Sequence, residues 1–318
     1  MTRSQQIIIK TSLAFILAIG IATALELPGA ITSGILAIIS IQPTKTDTLQ
    51  IVLKRLISAT LGFILAFILW ELFGYELWVY LLAGTLFIIT SYQIKLTVGV
   101  VPTLVLLGNL VVVGSFELTA LIQTSLLLII SVIVGGSVAF LYPSNANDVL
   151  KVLADKSDSL VKESITILIR ALENPIDQLP FQDQYKALDE QGKLLIEEAE
   201  LSHKDLLFQK QNRLYAYLKM RQSQMNRIRR LFRLVQYIHI NTEYANGIIQ
   251  FLTHLIPAIG VKVQASRLRQ ELQQLHEDYK EKPLPQTREE FEVRAILFQM
   301  LFELDYFLAL KIQYHQNA

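Results

Sequence analysis

Residues 29–76 read GAITSGILAIISIQPTKTDTLQIVLKRLISATLGFILAFILWELFGYE. One apolar run stops at Gln42-Pro43. A short segment then carries Lys45, Lys54 and Arg55, and the next apolar run ends in a connection holding Glu71 and Glu76. The alternation continues on both sides. Arg3 and Lys10 stand at the head of the first apolar stretch, Lys95 lies between the fourth and fifth, and Lys151 follows the sixth. The intervening connections hold Glu26 and Glu117 and no Lys or Arg. Connections rich in Lys and Arg stay in the cytoplasm. The pattern predicts an all-α protein: a six-helix transmembrane domain over 1–143 with its N-terminus inside, then a cytosolic antiparallel helical bundle over 144–318. The expected location is the cell membrane, multi-pass, with both termini cytoplasmic.

Composition supports this division. The chain has 318 residues and a formal net charge of +1. From residue 7 to 142 it is mostly Leu, Ile, Val, Ala and Phe, and after Pro143 it turns rich in Gln, Lys, Glu and Arg. A single soluble domain would not segregate its apolar residues in this way. Cysteine is absent, which excludes disulfides and cysteine-based metal sites. The N-terminus has the outline of a signal peptide, with a weakly basic Thr2–Lys10, an apolar Ser12–Gly20 and Ala22-Thr23-Ala24 as a cleavage-like site. Five more apolar segments follow at once, so an uncleaved first helix is the simpler reading.

A membrane core of about 30 Å needs about 20 apolar residues per helix. The expected spans are 7–26, 29–42, 55–73, 76–93, 97–114 and 117–142. The second is short, between Pro28-Gly29 and Gln42-Pro43, and the fifth is expected to break at Pro102 and Gly108. The two halves, spans one to three and four to six, each cross an odd number of times, so they are inverted relative to one another. The irregular second and fifth spans occupy matching places, which points to a transport site. No residue-by-residue repeat is evident between the halves. Ala14, Ala18 and Ala22 in the first span, and Ser58, Gly62 and Ala66 in the third, form stripes that let helices approach closely.

After Pro143-Ser144-Asn145, which ends the last span and supplies a helix cap, helices are expected near 146–172, 181–204, 206–256 with a break near Asn246-Gly247, 258–281 and 288–314. Ile228, Leu231, Phe232, Val235 and Ile238 recur at helical spacing, and no segment alternates as a strand would.

Several chemistries are excluded. There is no phosphate-binding loop, no Gly-rich dinucleotide fingerprint and no H-E-x-x-H. The five histidines, His203, His239, His254, His276 and His315, are scattered and read as surface or capped residues rather than ligands. No catalytic constellation, cofactor site or metal site is expected. The polar residues in or near the apolar segments are more telling, because an unpaired polar group in lipid costs several kcal/mol. Thr32 and Ser33 lie in the second span and Asn109 in the fifth; Gln42, Thr44, Lys45 and Thr46 form a polar mouth at the inner end of the second span, and Arg55 starts the third. One reading is a pathway that draws anions inward from the cytosol. The other is topological anchoring by the cations and interhelical hydrogen bonding by Asn109. In the second half, 206–242 holds no acid but carries Lys210, Arg213, Lys219, Arg221, Arg227, Arg229, Arg230 and Arg233, while 183–205 is rich in Asp and Glu. The favoured reading is a basic helix packed on an acidic one; the rival is a face for lipid headgroups or anionic substrates. Nucleic acid is not an expected partner.

The runs Ile9-Lys10-Thr11-Ser12-Leu13-Ala14 and Ser33-Gly34-Ile35-Leu36-Ala37-Ile38-Ile39-Ser40-Ile41-Gln42-Pro43-Thr44-Lys45, with Arg55 followed by Gly62, resemble the membrane domain of bacterial aromatic acid exporter-like proteins. The run Tyr217-Leu218-Lys219-Met220-Arg221-Gln222-Ser223-Gln224 resembles the core of their helical C-terminal domain. The resemblance covers nearly the whole chain and extends in architecture to fusaric acid resistance proteins and plant aluminium-activated malate channels. It implies movement of small organic, aromatic carboxylates and assembly as a homo-oligomer, such as a dimer. It carries over no catalytic residue. Some relatives bear a His near the position of Asn109; without it, the resemblance supplies no titratable group for proton coupling there. The leading expectation is an exporter of small organic anions embedded among membrane lipids, with the cytosolic bundle controlling access or assembly. The alternative is a non-transporting membrane scaffold or sensor whose bundle binds a partner protein.

Overall fold

The computed structural model describes residues 3–74, 76–113, 118–206, 212–240, 243–260 and 265–317. Glu117 and Lys210 lie outside the described residues. The described residues are helical, with no strand among them. They divide into two units: Met1–Ser144 with Lys204–Leu207, and Asn145–His203 with Phe208–Ala318.

The first unit holds α1 (Arg3–Ala24), α2 (Ala30–Ser40), α3 (Lys45–Phe73), α4 (Leu77–Gln93), a 3-10 turn (Thr97–Gly99), α5 (Val100–Val113) and α6 (Leu118–Leu141). Three helices contain segments long and apolar enough to cross a membrane, Gln5–Ala24, Lys45–Phe73 and Thr119–Leu141; the other apolar helices are shorter. The 11 residues of α2 measure about 16 Å at ~1.5 Å per residue, half of a ~30 Å core.

Two expectations need correction here. The third helix begins at Lys45 rather than 55. Thr44 caps it by accepting from the Asp47 N–H at 3.1 Å, and the Thr48 hydroxyl donates back to the Thr44 carbonyl at 2.9 Å. Its first turns are polar, so they fall outside an apolar window while still being helix. Arg55 therefore does not start the helix but sits well inside it. Second, α5 is not interrupted at Pro102 or Gly108. Pro102 occupies the first turn after the 3-10 segment, where a missing N–H costs no helical hydrogen bond, and Gly108 lies in continuous helix.

The helices pack in two trios. Helix α1 packs on α2 and α6, and α2 on α6; α4 packs on α3 and α5, and α3 on α5. The trios join through α3–α6, α2–α3 and α5–α6. Exchanging α1 with α4, α2 with α5 and α3 with α6 maps this set of pairings onto itself. The correspondence reaches single residues. Glu26 (φ 52°) and Lys95 (φ 60°) are the two non-glycine residues with positive φ among those described, and each follows the first helix of its half. Around them Leu25, Glu26 and Leu27 donate to Ile21, Thr23 and Ala22, while Ile94, Lys95 and Leu96 donate to Thr90, Tyr92 and Ser91, the same left-handed helix stop twice. The buried face of α1, Lys10, Ala14, Ala18 and Ala22, matches that of α4, Val79, Ala83, Phe87 and Ser91. Ser58, Gly62, Ala66 and Phe67 of α3 match Ser131, Gly135, Ala139 and Phe140 of α6. Gly62 abuts Thr103 on α5, and Gly135 abuts Ala37 and Ser40 on α2. The two halves are thus a structural repeat, which the sequence alone did not reveal.

The second unit contains α7 (Ala146–Glu173), α8 (Leu179–Lys204), α9 (Arg213–Val235), α10 (Asn246–Leu255), α11 (Ala265–Glu281) and α12 (Arg288–Asn317). The stretch 206–256, expected to break near Asn246-Gly247, holds two helices: α10 begins at Asn246, and α9 ends earlier, at Val235. At the end of α9 the Val235 carbonyl accepts from the Ile238 N–H at 2.9 Å, and the buried Gln178 side chain donates to the Val235 and Ile238 carbonyls at 2.8 and 3.0 Å. Among the described residues α11 runs from Ala265, and the expected start at 258 falls in a 3-10 turn, Ile256–Ala258. Asn145 stands at the cap of α7 but makes no side-chain capping bond. Helix α9 lies at the centre, packed on α7 and α12, with α11 on α12 and α10 on α7 and α11. Its stripe Ile228, Leu231, Phe232 and Val235 is buried, as the spacing predicts, against Val161, Leu168, Phe251, Leu297, Met300 and Leu304. Burying each such side chain contributes about 1.5–3 kcal/mol.

Candidate functional site

The polar residues of the first unit gather in three places, two of them singled out in the sequence. At the end of α2, Arg55 reaches across from α3, donating from Nη1 to Ser40 Oγ at 2.7 Å and from Nη2 to the Ile39 carbonyl at 3.0 Å. It is 3% exposed. Its guanidinium thus closes the carbonyl end of α2, where the helix dipole favours a cation. Lys45 does the same for α6, with Nζ donating to the Phe140 carbonyl at 2.9 Å. The Gln42 side chain bonds the Ile39 carbonyl at 3.1 Å, its N–H bonds Thr48 Oγ1 at 3.0 Å, and Thr44 is the buried cap of α3. Arg55 and Thr44 thus tie helix ends together.

The second place joins the two short helices. Asn109 on α5 donates from Nδ2 to Thr32 Oγ1 on α2 at 3.2 Å. Gly29, φ +76°, precedes α2, and a Cβ there would lie 3.3 Å from Asn109 Nδ2. Glycine is needed twice, for the left-handed backbone and for the close approach. Ser33 turns away from Asn109, donating to the Ala18 and Ala30 carbonyls at 3.0 and 2.7 Å.

The third place was not singled out for its chemistry. Ser58 and Thr103 face each other's helices along the α3–α5 seam, Ser58 against Gly99 and Thr103 against Gly62. Both are fully buried. The Ser58, Gly62 and Ala66 stripe marked the seam in the sequence, but nothing there marked Thr103.

In the second unit, the run 217–224 forms a buried polar network. Arg221, 1% exposed, donates from Nε to Asp158 of α7 at 2.7 Å and from Nη1 to Gln224 Oε1 at 2.6 Å. Tyr217 donates its hydroxyl to Asp158 at 2.7 Å, and Gln224 donates to the Phe307 carbonyl of α12 at 2.9 Å. Burial raises the Tyr217 phenol above its ordinary pKa. Lys311 of α12 donates to the Ala258 carbonyl at 3.0 Å; burial, then the nearby Arg221 charge, lowers its pKa to about 8. The basic face of α9 is paired as expected for a basic helix on acidic ones: Arg229 with Asp189 and Lys219 with Glu200 on α8, and Arg227 and Arg230 with Glu303 on α12. His254 pairs with Glu271, and no group of three metal-ligating side chains forms among the described residues.

Long apolar helices over the first 142 residues and a helical second unit define an all-helical membrane protein. Residues 3–142 match the model described as "Aromatic acid exporter family member 1", and residues 147–312 match "Putative aromatic acid exporter C-terminal domain". The chain belongs to the aromatic acid exporter family, a family of membrane exporters and not of enzymes. It is 28% identical over 306 residues to the uncharacterized protein YqjA of Bacillus subtilis (strain 168), spanning 95% of this chain and 94% of that one. A crystal structure described as "putative membrane protein from Clostridium difficile 630" aligns with 52% of this chain and 99% of its own, at 21% identity and a TM-score of 0.41.

Proposed function

We propose that the chain exports small organic carboxylates, aromatic ones included, across the cell membrane. All six helices of the first unit would cross, with both termini and the second unit in the cytosol. Thr32 and Asn109 would line the pathway where α2 and α5 meet, with Ser33, Gln42, Thr44, Lys45 and Arg55 shaping its inner end. The Asn109–Thr32 hydrogen bond carries this reading. It joins two helices too short to cross alone, in matching positions of the two halves, the arrangement by which transporters build a site near the middle of the membrane. In an inside-negative cell an anion leaves downhill by about 2.3 kcal/mol per charge per 100 mV. The test is benzoate efflux from proteoliposomes with and without an imposed potential, comparing the wild type with Asn109→Leu. Potential-driven flux that falls at least tenfold in the variant, with the protein still folded in the membrane, supports the proposal. No flux in the wild type would sink it, and unchanged flux in the variant would remove Asn109 from the pathway.

A further inference from the structure

In the first unit three buried polar atoms lack a hydrogen-bond partner among the described residues: Arg55 Nε, Ser58 Oγ and Thr103 Oγ1. They belong to one neighbourhood. Arg55 and Ser58 stand one turn apart on the same face of α3. Ser58 abuts Gly99, whose Cβ position also lies 3.6 Å from the Arg55 Cα, and Thr103 follows one turn later on α5. All three side chains are at least nine-tenths buried. A buried serine or threonine normally bonds a carbonyl of its own helix or its cap, and its neighbours here do so: Ser40 to Leu36 at 2.6 Å and Thr48 to Thr44 at 2.9 Å.

The repeat sharpens the contrast. Ser131, the counterpart of Ser58 in α6, donates to the Leu128 carbonyl at 2.7 Å, and the counterpart of Arg55 is Leu128, which is apolar. The α3–α5 seam therefore keeps a buried cation with two unpartnered hydroxyls, while the matching positions of α6 hold a leucine and a bonded serine. No carboxylate pairs with Arg55 among the described residues. An uncompensated charge at such depth costs several kcal/mol, and two idle hydroxyls add to that cost. All three lacks are met by one kind of ligand, an anion that accepts from an N–H and two O–H donors.

We propose that Arg55, Ser58 and Thr103 form a carboxylate-binding site on the α3–α5 seam, taking the headgroup of a small organic acid on Nε and the two hydroxyls. This rests on the export reading for its substrate class, and it places recognition of the charged group away from Asn109. Arg55 acts through one nitrogen on the ligand and through the other two on the end of α2. Occupancy of the site is thereby linked to the position of the short helix.

The test is benzoate binding to the full chain in nanodiscs by calorimetry, with benzamide as the neutral analogue. Replacing Arg55 would also release α2, so the hydroxyl variants carry the test. Ser58→Ala and Thr103→Val are expected to weaken benzoate binding by about tenfold each, the loss of one charge-assisted hydrogen bond. Ser131→Ala, the counterpart whose hydroxyl is already bonded, is expected to bind as the wild type, and benzamide at least tenfold more weakly than benzoate. Unchanged affinity in the hydroxyl variants, equal losses in Ser131→Ala, or no benzoate binding by the wild type would overturn the site. Flux separates the two proposals. Wild-type flux in the Ser58→Ala/Thr103→Val double variant removes this site and leaves export standing; binding that depends on these residues without any flux leaves the site and removes export.

Discussion

Asp158→Ala is the most informative single change in the second unit. In the native structure its carboxylate accepts from Arg221 Nε and from the Tyr217 hydroxyl, both at 2.7 Å. Truncation leaves a guanidinium that is 1% exposed with no counter-charge. The lost hydrogen bonds alone account for about 1–3 kcal/mol, and the stranded buried charge takes the total to about 3–5 kcal/mol. Asp183 gives the contrast. Its pair with Lys186 has side chains 77% and 72% exposed, and Asp183→Ala is expected to cost no more than about 1 kcal/mol. Asp158→Leu combined with Arg221→Met removes both charges and is expected to recover most of the loss, because well-packed apolar groups replace a buried pair at little cost. The assay is hydrogen exchange by mass spectrometry on the full chain in nanodiscs, read in peptides of α7 and α9. At a factor of ten per ~1.4 kcal/mol, protection in these peptides is expected to fall by about two to three and a half orders of magnitude in Asp158→Ala and by less than tenfold in Asp183→Ala. Unchanged protection in Asp158→Ala, or a double variant as damaged as the single one, would refute the reasoning.

Three further outcomes are expected. Lys311 has its pKa lowered to about 8 in the folded chain from 10.5, so between these values the unfolded chain binds more protons and stability rises with pH; Lys311→Met should abolish that rise and be the more stable form at pH 7, read as proteolytic susceptibility of the second unit across pH 7 to 10. Gly29→Ala should lower thermal stability in detergent by about 1–2 kcal/mol, from its positive φ and the approach of Asn109; an unchanged melting temperature would show that the α2 entrance is not strained by a side chain. Single cysteines introduced into this cysteine-free chain should react with impermeant reagents from outside near Glu76 and not near Lys45 or Lys95, and the reverse pattern would overturn the proposed topology.

Where sequence and structure part company is clearest at Arg55. As a letter beside Lys54 it reads as one more charge in a basic connection. In three dimensions α3 begins at Lys45, so the same residue lies inside a helix and meets Ser40 and Ile39, and Lys54 does not. Helical periodicity places Arg55, Ser58 and Gly62 on one face, but it does not say which helix covers that face. The repeat is a second case. Ser, Gly and Ala at matching spacings in α3 and α6 were present in the sequence throughout, hidden among Leu, Ile and Val, which satisfy lipid and helix packing equally well. The left-handed stops at Glu26 and Lys95 and the exchange of pairings between trios are what single it out.

The sequence by itself determined that the first 142 residues are apolar helices, that the remainder is a helical unit with one strongly basic helix, and where most of the helices of that unit end. These are one-dimensional properties: hydropathy over a window, charge sign along the chain, and the backbone limits of Pro, Gly and Asn. Tertiary structure alone decided which polar atoms are satisfied. Asp158 reaches Arg221 across 63 residues and Asn109 reaches Thr32 across 77, while Ser58 and Thr103 are left without partners. A hydrogen bond depends on the distance and angle between two particular atoms, and that geometry exists only after the helices have packed.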